Sequence, residues 1–242
     1  MSINSLACVQ SFVSKRKAGG LPATIQAITN ANAPFAFNPF YYPTPTATTR
    51  SSNNQVIACT VVVTNQTAPY TFLNGTYYMS TSCLTTQISN GGNPFNSWSG
   101  EASAETIQSP STYNSAGAYT GSVSTVTSGT TVMGEWMQIQ LPYTLYVTTY
   151  NVFTGVNGGG PNYAQMFPKS FYFCGSNDGI TWTTIDNRAN VTASVVTSTN
   201  VFTAPAYTTG YRYFRLIGQQ IGTGGSLTRM GVAMGIQGDY KG

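Results

Sequence analysis

The chain has 242 residues, of which 41% are hydrophobic and only 7% are charged. Ordinary soluble domains carry about 25% charged residues, so the solvated surface of this chain must consist mainly of Ser, Thr, Asn, Gln and Gly. Histidine, the commonest general base and metal ligand, does not occur. The acidic residues are scattered, and no pair is spaced for glycoside hydrolysis. The composition therefore predicts a protein that is not an enzyme.

The net charge of +4 resides in the first fifty residues. Lys15, Arg16, Lys17 and Arg50 lie there without any acid, whereas residues 51–242 hold six basic and six acidic side chains. A neutral body has no broad positive field for a phosphate backbone, which argues against nucleic acid as a partner. The three basic residues near the start contribute little binding to nucleic acid or an anionic membrane at physiological salt.

The four cysteines, Cys8, Cys59, Cys83 and Cys174, lack CxxC spacing. Without histidine they do not predict a zinc site, and we expect mostly buried thiols, although an even number also permits disulfides. Residues 1–30 lack the apolar core and cleavage site of a secretory leader, and no later run is long and apolar enough to cross a bilayer. We therefore expect synthesis in a cytosol.

Residues 1–55 are predicted to form an extended N-terminal arm. Prolines at 34, 39, 43 and 45 disfavour helix and remove hydrogen-bond donors. Aromatic residues alternate with these prolines: Phe35, Phe37, Phe40, Tyr41 and Tyr42. Such side chains are unusual on a solvated linker, which indicates an assembly arm buried on its own domain or on a neighbouring chain. A flexible tail is the alternative.

Residues 56–242 are predicted to form one β-sandwich domain. Short β-branched or alternating segments recur between turn-rich stretches, at 56–64, 76–82, 136–141, 145–153, 170–175, 181–185, 195–203, 211–217 and 231–237. No helical period longer than about two turns follows residue 30. The predicted fold class is therefore all-β, an eight-stranded antiparallel jelly-roll sandwich preceded by the arm.

Two segments carry specific strand and turn signals. In residues 134–142, GEWMQIQLP, even-numbered residues from Trp136 face one way and odd-numbered residues from Met137 face the other. In residues 168–186, PKSFYFCGSNDGITWTTID, a strand leads into an Asn-Asp-Gly turn, and the next strand opens with a tryptophan. Asp178 is therefore expected to form this turn rather than to act as a catalytic acid.

These two motifs, together with YRYFRLIG at 211–218 and MGVAMGIQG at 230–238, resemble the discoidin, or coagulation factor V/VIII type C, domain family. The resemblance covers about residues 70–240. It implies a galactose-binding-like jelly roll whose loops at one end form a platform for glycans, lipid head groups or proteins. Asn96, Trp98 and Tyr163 are the loop residues that would contact a ligand there.

Many members of this family hold a structural calcium, but the chain departs from the family pattern at two positions. Trp98-Ser99-Gly100 stands where an Asp-containing loop is common, and Ala233 stands where a Glu is common. Calcium prefers several oxygen ligands that include carboxylates. We therefore expect no metal and no cofactor.

The sequence favours a non-enzymatic virion structural protein, a minor capsid or capsid-surface component that uses its jelly roll and arm for assembly. This follows from the low charge, from the arm, and from motif sequences that most resemble those carried by large DNA viruses of algae and protists. The expected partners are other virion or capsid proteins or a second copy of the chain, and the expected location is the virion. The alternative is a carbohydrate-binding module that attaches to a glycan or host surface.

Overall fold

A computed structural model describes residues 26–27, 57–61, 75–82, 107–108, 111–154, 163–193, 200–205, 209–223 and 228–241. Within these ranges the strands are β1 (Gln26–Ala27), β2 (Ile57–Val61), β3 (Gly75–Thr81), β4 (Ile107–Gln108), β5 (Ser124–Thr127), β6 (Thr130–Met133), β7 (Glu135–Phe153), β8 (Pro168–Ser176), β9 (Thr183–Arg188), β10 (Val201–Thr203), β11 (Tyr211–Ile221) and β12 (Gly231–Lys241). The one helix in these ranges is α1 (Tyr163–Met166).

The strand β7 joins two layers of sheet. In its first part Ile139 lies opposite Met79 of β3 and Phe214 of β11. In its second part Tyr150 lies opposite Ile236 of β12 and Phe202 of β10. Layer A therefore has the order β2-β3-β7-β11-β8-β9, while layer B contains β10-β7-β12 with β1 and β4 on the outer edge of β12. Every pairing between two of these named strands is antiparallel, and one isolated parallel bridge joins Thr127 to Trp182.

The fold class predicted from the sequence, an antiparallel jelly-roll sandwich, is confirmed. Seven described strands have five or more residues. Because β7 contributes one segment to each layer, the sandwich contains eight long extended segments. The main core lies between the layers, where Met137, Ile139, Phe173 and Phe214 are fully buried. Burying each such side chain contributes about 1.5–3 kcal/mol, and this face holds the layers together.

The prediction of separate strands at 136–141 and 145–153 was wrong in one respect, because β7 continues through Pro142. Proline lacks an N–H group and is tolerated where a ladder is interrupted. The pairing with β11 is irregular at this point: Tyr213 lies opposite Gln140, but Tyr211 lies opposite Leu145. The interruption coincides with the passage of β7 from layer A to layer B.

The predicted turn at Asp178 is confirmed by its contacts. One carboxylate oxygen accepts hydrogen bonds from the backbone N–H groups of Ile180 and Thr181, at 2.8 and 2.7 Å, and from the Ser176 hydroxyl at 2.8 Å. These hydrogen bonds hold the pKa of Asp178 well below its usual range. Gly179 has a φ of +74°, which an L-residue rarely adopts.

Several predictions fall on residues outside the described ranges. All five arm aromatics lie there, as do Cys8, Cys83, Asn96 and Trp98. Cys174 is a buried free thiol, and burial raises its pKa to about 11. The described part of the chain contains no helix long and apolar enough to span a lipid bilayer.

Candidate functional site

An open groove of about 590 Å³ lies on the outer face of layer A. Residues of β8, β9, β11 and the loop before β5 line it: Ala118, Ser170, Tyr172, Asn187, Arg188, Ala189, Gln219 and Gln220. The antiparallel register brings them together, because Tyr172 lies opposite Asn187, and Gln220 lies opposite both Ser170 and Ala118. The groove therefore depends on pairing between segments that are distant in sequence.

The side chains on the floor of the groove are hydroxyl, phenol and amide groups. The Ser170 hydroxyl donates to the side-chain oxygen of Gln220 at 3.3 Å, and this bond does not use the two donors of the Gln220 amide nitrogen. Asn187 is exposed, and its side-chain amide makes no hydrogen bond to any described residue. Amides with donors and acceptors available beside a half-buried tyrosine ring can bind a polar, uncharged ligand.

The charge of Arg188 is directed away from this floor. Arg188 lies opposite Phe171, a fully buried residue of the core, so its side chain projects to the inner side of β9. Its Nε and Nη2 atoms donate to one carboxylate oxygen of Asp186 at 2.8 and 2.6 Å, and its guanidinium lies 4.9 Å from the ring centroid of Phe202. Arg188 therefore belongs to the lining of the groove, but its charge is already paired with Asp186.

Tyr150 completes this inner cluster. Its hydroxyl donates to the same Asp186 oxygen at 2.7 Å. Burial raises the pKa of Tyr150 above its usual range, and the neighbouring carboxylate raises it further. Asp186, itself buried, therefore pairs with the charge of Arg188 and accepts a hydrogen bond from Tyr150 through the same oxygen, and the cluster ties β7 to β9 below the groove.

A second cluster supports the groove from the outer face of layer A. Tyr172 packs against buried residues that include Trp136 and Trp182. The guanidinium of Arg215 lies between these two tryptophans, 4.0 and 4.2 Å from their ring centroids. Burial lowers the pKa of Arg215 to about 10. This stack fixes the sheet surface from which Tyr172 projects.

The hairpin β5–β6 packs on this outer face beside the Arg215 cluster. Arg215 donates through Nε and Nη2 to the Gln138 side-chain oxygen, at 3.1 and 2.7 Å, and through Nη1 to the Thr125 hydroxyl at 2.9 Å. Val132 is buried against the same cluster. One guanidinium therefore links β11, β7 and the hairpin.

The loop at 111–122 forms one wall of the groove. Gly117 has a φ of +79°, and a Cβ atom there would lie 2.3 Å from the backbone oxygen of Ile221. The loop approaches β11 this closely because the Ile221 N–H donates to the Gly117 carbonyl at 2.8 Å. The Asn114 side chain accepts from the N–H groups of Ala116 and Ala118, both at 3.0 Å. These contacts fix Ala118 beside the floor.

A buried carboxylate anchors the base of this loop. The Tyr119 hydroxyl donates to one oxygen of Glu135 at 3.2 Å, and the Ser82 hydroxyl donates to the other at 2.6 Å. The Ser82 oxygen also accepts from the Trp136 N–H at 2.8 Å. Glu135 therefore has a structural position between β3, β7 and the loop. No group of three or more His, Cys, Asp or Glu side chains suited to a metal occurs within the described ranges.

The ligand-contact residues predicted from the sequence stay predictions. Asn96 and Trp98 lie outside the described residues, and of Tyr163 the structure describes only the backbone, at the start of α1. Sequence reasoning missed Tyr172, Asn187, Gln219 and Gln220. One signal was present: in SFYF, residues 170–173, alternation places Ser170 and Tyr172 opposite the buried Phe171 and Phe173.

Comparison with known proteins returns similar folds at low identity. No family model matches the chain, and no curated protein matches its sequence. A family 32 carbohydrate-binding module from Streptococcus pneumoniae EndoD is similar over 66% of this chain and 95% of its own, with 12% identity and a TM-score of 0.42. A Clostridium perfringens module of the same family, solved with GalNAc-β-1,3-galactose, gives 10% identity over 66% and 94%, with a TM-score of 0.43. Another C. perfringens module, from a family 31 glycoside hydrolase, gives 12% identity over 63% and 86%, with a TM-score of 0.42.

Proposed function

We infer that the protein is a non-catalytic carbohydrate-binding module whose ligand lies in the groove on the outer face of layer A. The observation that carries this inference is the composition of the groove, a tyrosine ring beside Ser170, Asn187, Gln219 and Gln220. A sugar presents C–H faces and hydroxyls, which match an aromatic ring and amide groups respectively. Pockets for small ligands usually have volumes of about 300–1,000 Å³, and this groove falls within that range.

The electrostatics of the groove agree with an uncharged ligand. Arg188, the one charged residue among the described residues that line it, is paired with Asp186. An uncharged saccharide can enter such a site without the cost of desolvating an ion. The resemblance of the sequence motifs to the discoidin family, whose members commonly bind glycans, agrees with this assignment.

Replacing Tyr172 with alanine is expected to weaken saccharide binding at least about tenfold, because the ring supplies the apolar surface of the groove. The measurement is a glycan array followed by calorimetric titration of the array's strongest ligand and of GalNAc-β-1,3-galactose. Tyr78→Ala is the matched control, because Tyr78 is an exposed tyrosine on β3 of the same layer but outside the groove. It should bind as the unchanged protein does.

Two outcomes would contradict this proposal in different ways. If no saccharide on the array binds, the carbohydrate-binding function is wrong. If a saccharide binds and Tyr172→Ala leaves its affinity unchanged, the function stands but the groove is not its site.

The virion structural role predicted from the sequence stays a prediction. It rests on the low charge, on the similarity of the motifs to viral versions, and on the arm at residues 1–55, of which the structure describes only β1. Finding the protein in purified virus particles would support that role and the predicted location. It would not conflict with glycan binding, because a component of a particle surface can also hold a sugar.

A further inference from the structure

The outer face of layer B carries a buried apolar pair that is separate from the main core. Phe153 and Ala233 lie opposite each other on β7 and β12, with exposed fractions of 1% and 0%. Their neighbours Val152 and Met234 face the main core, so alternation directs Phe153 and Ala233 to the opposite side of the sheet. Among the described residues these two form an apolar cluster by themselves. The described residues alone therefore do not account for the burial of this pair.

Burial on this face decreases from β12 towards β10. Asn151, next to Phe153 on the same face, is buried. Its partner on β10, Val201, is 57% exposed. The covered part of this face therefore lies over β12 and the end of β7 rather than over β10.

The strand β1 shows the direction from which a covering segment can come. Gln26 pairs with Tyr240 and Ala27 with Asp239, antiparallel, so the chain leaves Ala27 in the direction of Gly231. Ala233 is six residues from Asp239, or about 20 Å along β12. Residues 28–34 are long enough to span that distance, and the aromatic part of the arm begins at Phe35.

The arm cannot follow the edge of β12 to its end. β4 occupies that edge, with Ile107 opposite Val232 and Gln108 opposite Gly231. The inner face of β12 is filled by the main core, to which Val232 and Met234 belong. The outer face is the one side of β12 that no described residue occupies here, so it is available to an arm that arrives along this edge.

We propose that the arm of the same chain folds over the outer face of layer B, where Phe35 and Phe37 pack on Phe153 and Ala233. Gly235, the next outward position on β12 after Ala233, has no side chain and is itself buried. The arm then completes a second, smaller core and forms part of the domain. It also covers the face opposite the groove.

The direct test is NMR spectroscopy of the full-length protein with ¹³C-labelled alanine methyls and protonated phenylalanine. The proposal expects nuclear Overhauser effects between the Ala233 methyl and the rings of Phe35 or Phe37. An equal mixture of labelled and unlabelled chains distinguishes the source of the rings. Contacts that appear between chains would assign the face to a second copy and overturn the proposal. The absence of contacts to either ring would assign the face to another segment and overturn it as well.

Hydrogen exchange provides an independent measurement. In the full-length double variant Phe35→Ala/Phe37→Ala, amide exchange in residues 149–154 and 231–236 should become at least about tenfold faster. Exchange in β8 should not change, which verifies that the sandwich is folded. Phe12→Ala, an aromatic substitution in the arm before β1, is the control and should have no effect. Unchanged exchange over β7 and β12 in the double variant would contradict the proposal.

Discussion

Replacing Arg215 with alanine is expected to destabilise the protein by about 4 kcal/mol, the largest effect we expect from one substitution on the outer face of layer A. The side chain lies between Trp136 and Trp182 and donates three hydrogen bonds, to Gln138 and Thr125. Alanine would leave a gap between two large rings and remove the link to the β5–β6 hairpin. Urea unfolding followed by far-UV circular dichroism measures the loss.

Two further variants separate the geometry of Arg215 from its charge. Arg215→Lys keeps the charge but lacks the planar guanidinium, which stacks on the tryptophans and donates hydrogen bonds at the same time. Its loss of stability should therefore be more than half of the loss in Arg215→Ala. Arg212→Ala removes an exposed arginine three positions away on the same strand, and should change stability by less than about 0.5 kcal/mol. Equal stability of Arg215→Lys and the unchanged protein would show that charge alone matters here.

Replacing Asp186 with alanine is expected to cost about 3 kcal/mol. The substitution leaves the Tyr150 hydroxyl buried without its acceptor and removes the counter-ion of Arg188. The side chain of Arg188 is 36% exposed and can turn towards water, which keeps the loss below that of a fully buried ion pair. Thermal and urea unfolding of the purified variant measure the change.

Asp186→Asn is the matched control, because its side-chain oxygen can still accept from Tyr150 while the charge is gone. It should lose about 1–2 kcal/mol, less than the alanine variant. If the two variants lose the same amount, the hydrogen bond from Tyr150 contributes nothing. A loss below about 0.5 kcal/mol for Asp186→Ala would contradict the role assigned to the whole cluster.

The fold could be predicted because its strongest signals are local. Alternation in GEWMQIQLP and the Asn-Asp-Gly turn at Asp178 depend on neighbouring residues, and both occur in the structure as predicted. The continuity of β7 through Pro142 could not be predicted this way. It depends on the irregular pairing of β11 opposite that residue.

The hairpin β5–β6 was missed although a local signal was present. Ser128 and Gly129 have φ values of 46° and 79°, which suit a two-residue turn between β-branched strands. Ser-Gly is a weaker turn signal than Asn-Gly, and the flanking strands have only four residues each. What stabilises this hairpin is its contact with Arg215, which is ninety residues away from Thr125 in sequence.

The groove could not be predicted for a related reason. Its floor joins Ser170 to Gln220, fifty residues apart, and Tyr172 to Asn187 across a neighbouring strand. Glutamine and asparagine at such positions are ordinary solvent-facing residues until the register places them side by side. The resemblance to a family directed attention to loops instead, and Asn96 and Trp98 in those loops lie outside the described residues.

The groove and the proposed docking site of the arm lie on opposite faces of the sandwich. Ligand binding on layer A and arm packing on layer B would then not compete for the same surface. Substitutions at Phe35 and Phe37 should accordingly leave saccharide affinity unchanged, and Tyr172→Ala should leave the arm in place.

The central claim is that a saccharide lies on the outer face of layer A. The most direct test follows the side-chain amide signals of Asn187, Gln219 and Gln220 by NMR while the strongest array saccharide is added. The account predicts that these signals and those of the Tyr172 ring shift together and saturate with one dissociation constant. Saturable shifts confined to residues outside the groove, with these signals unchanged, would contradict it.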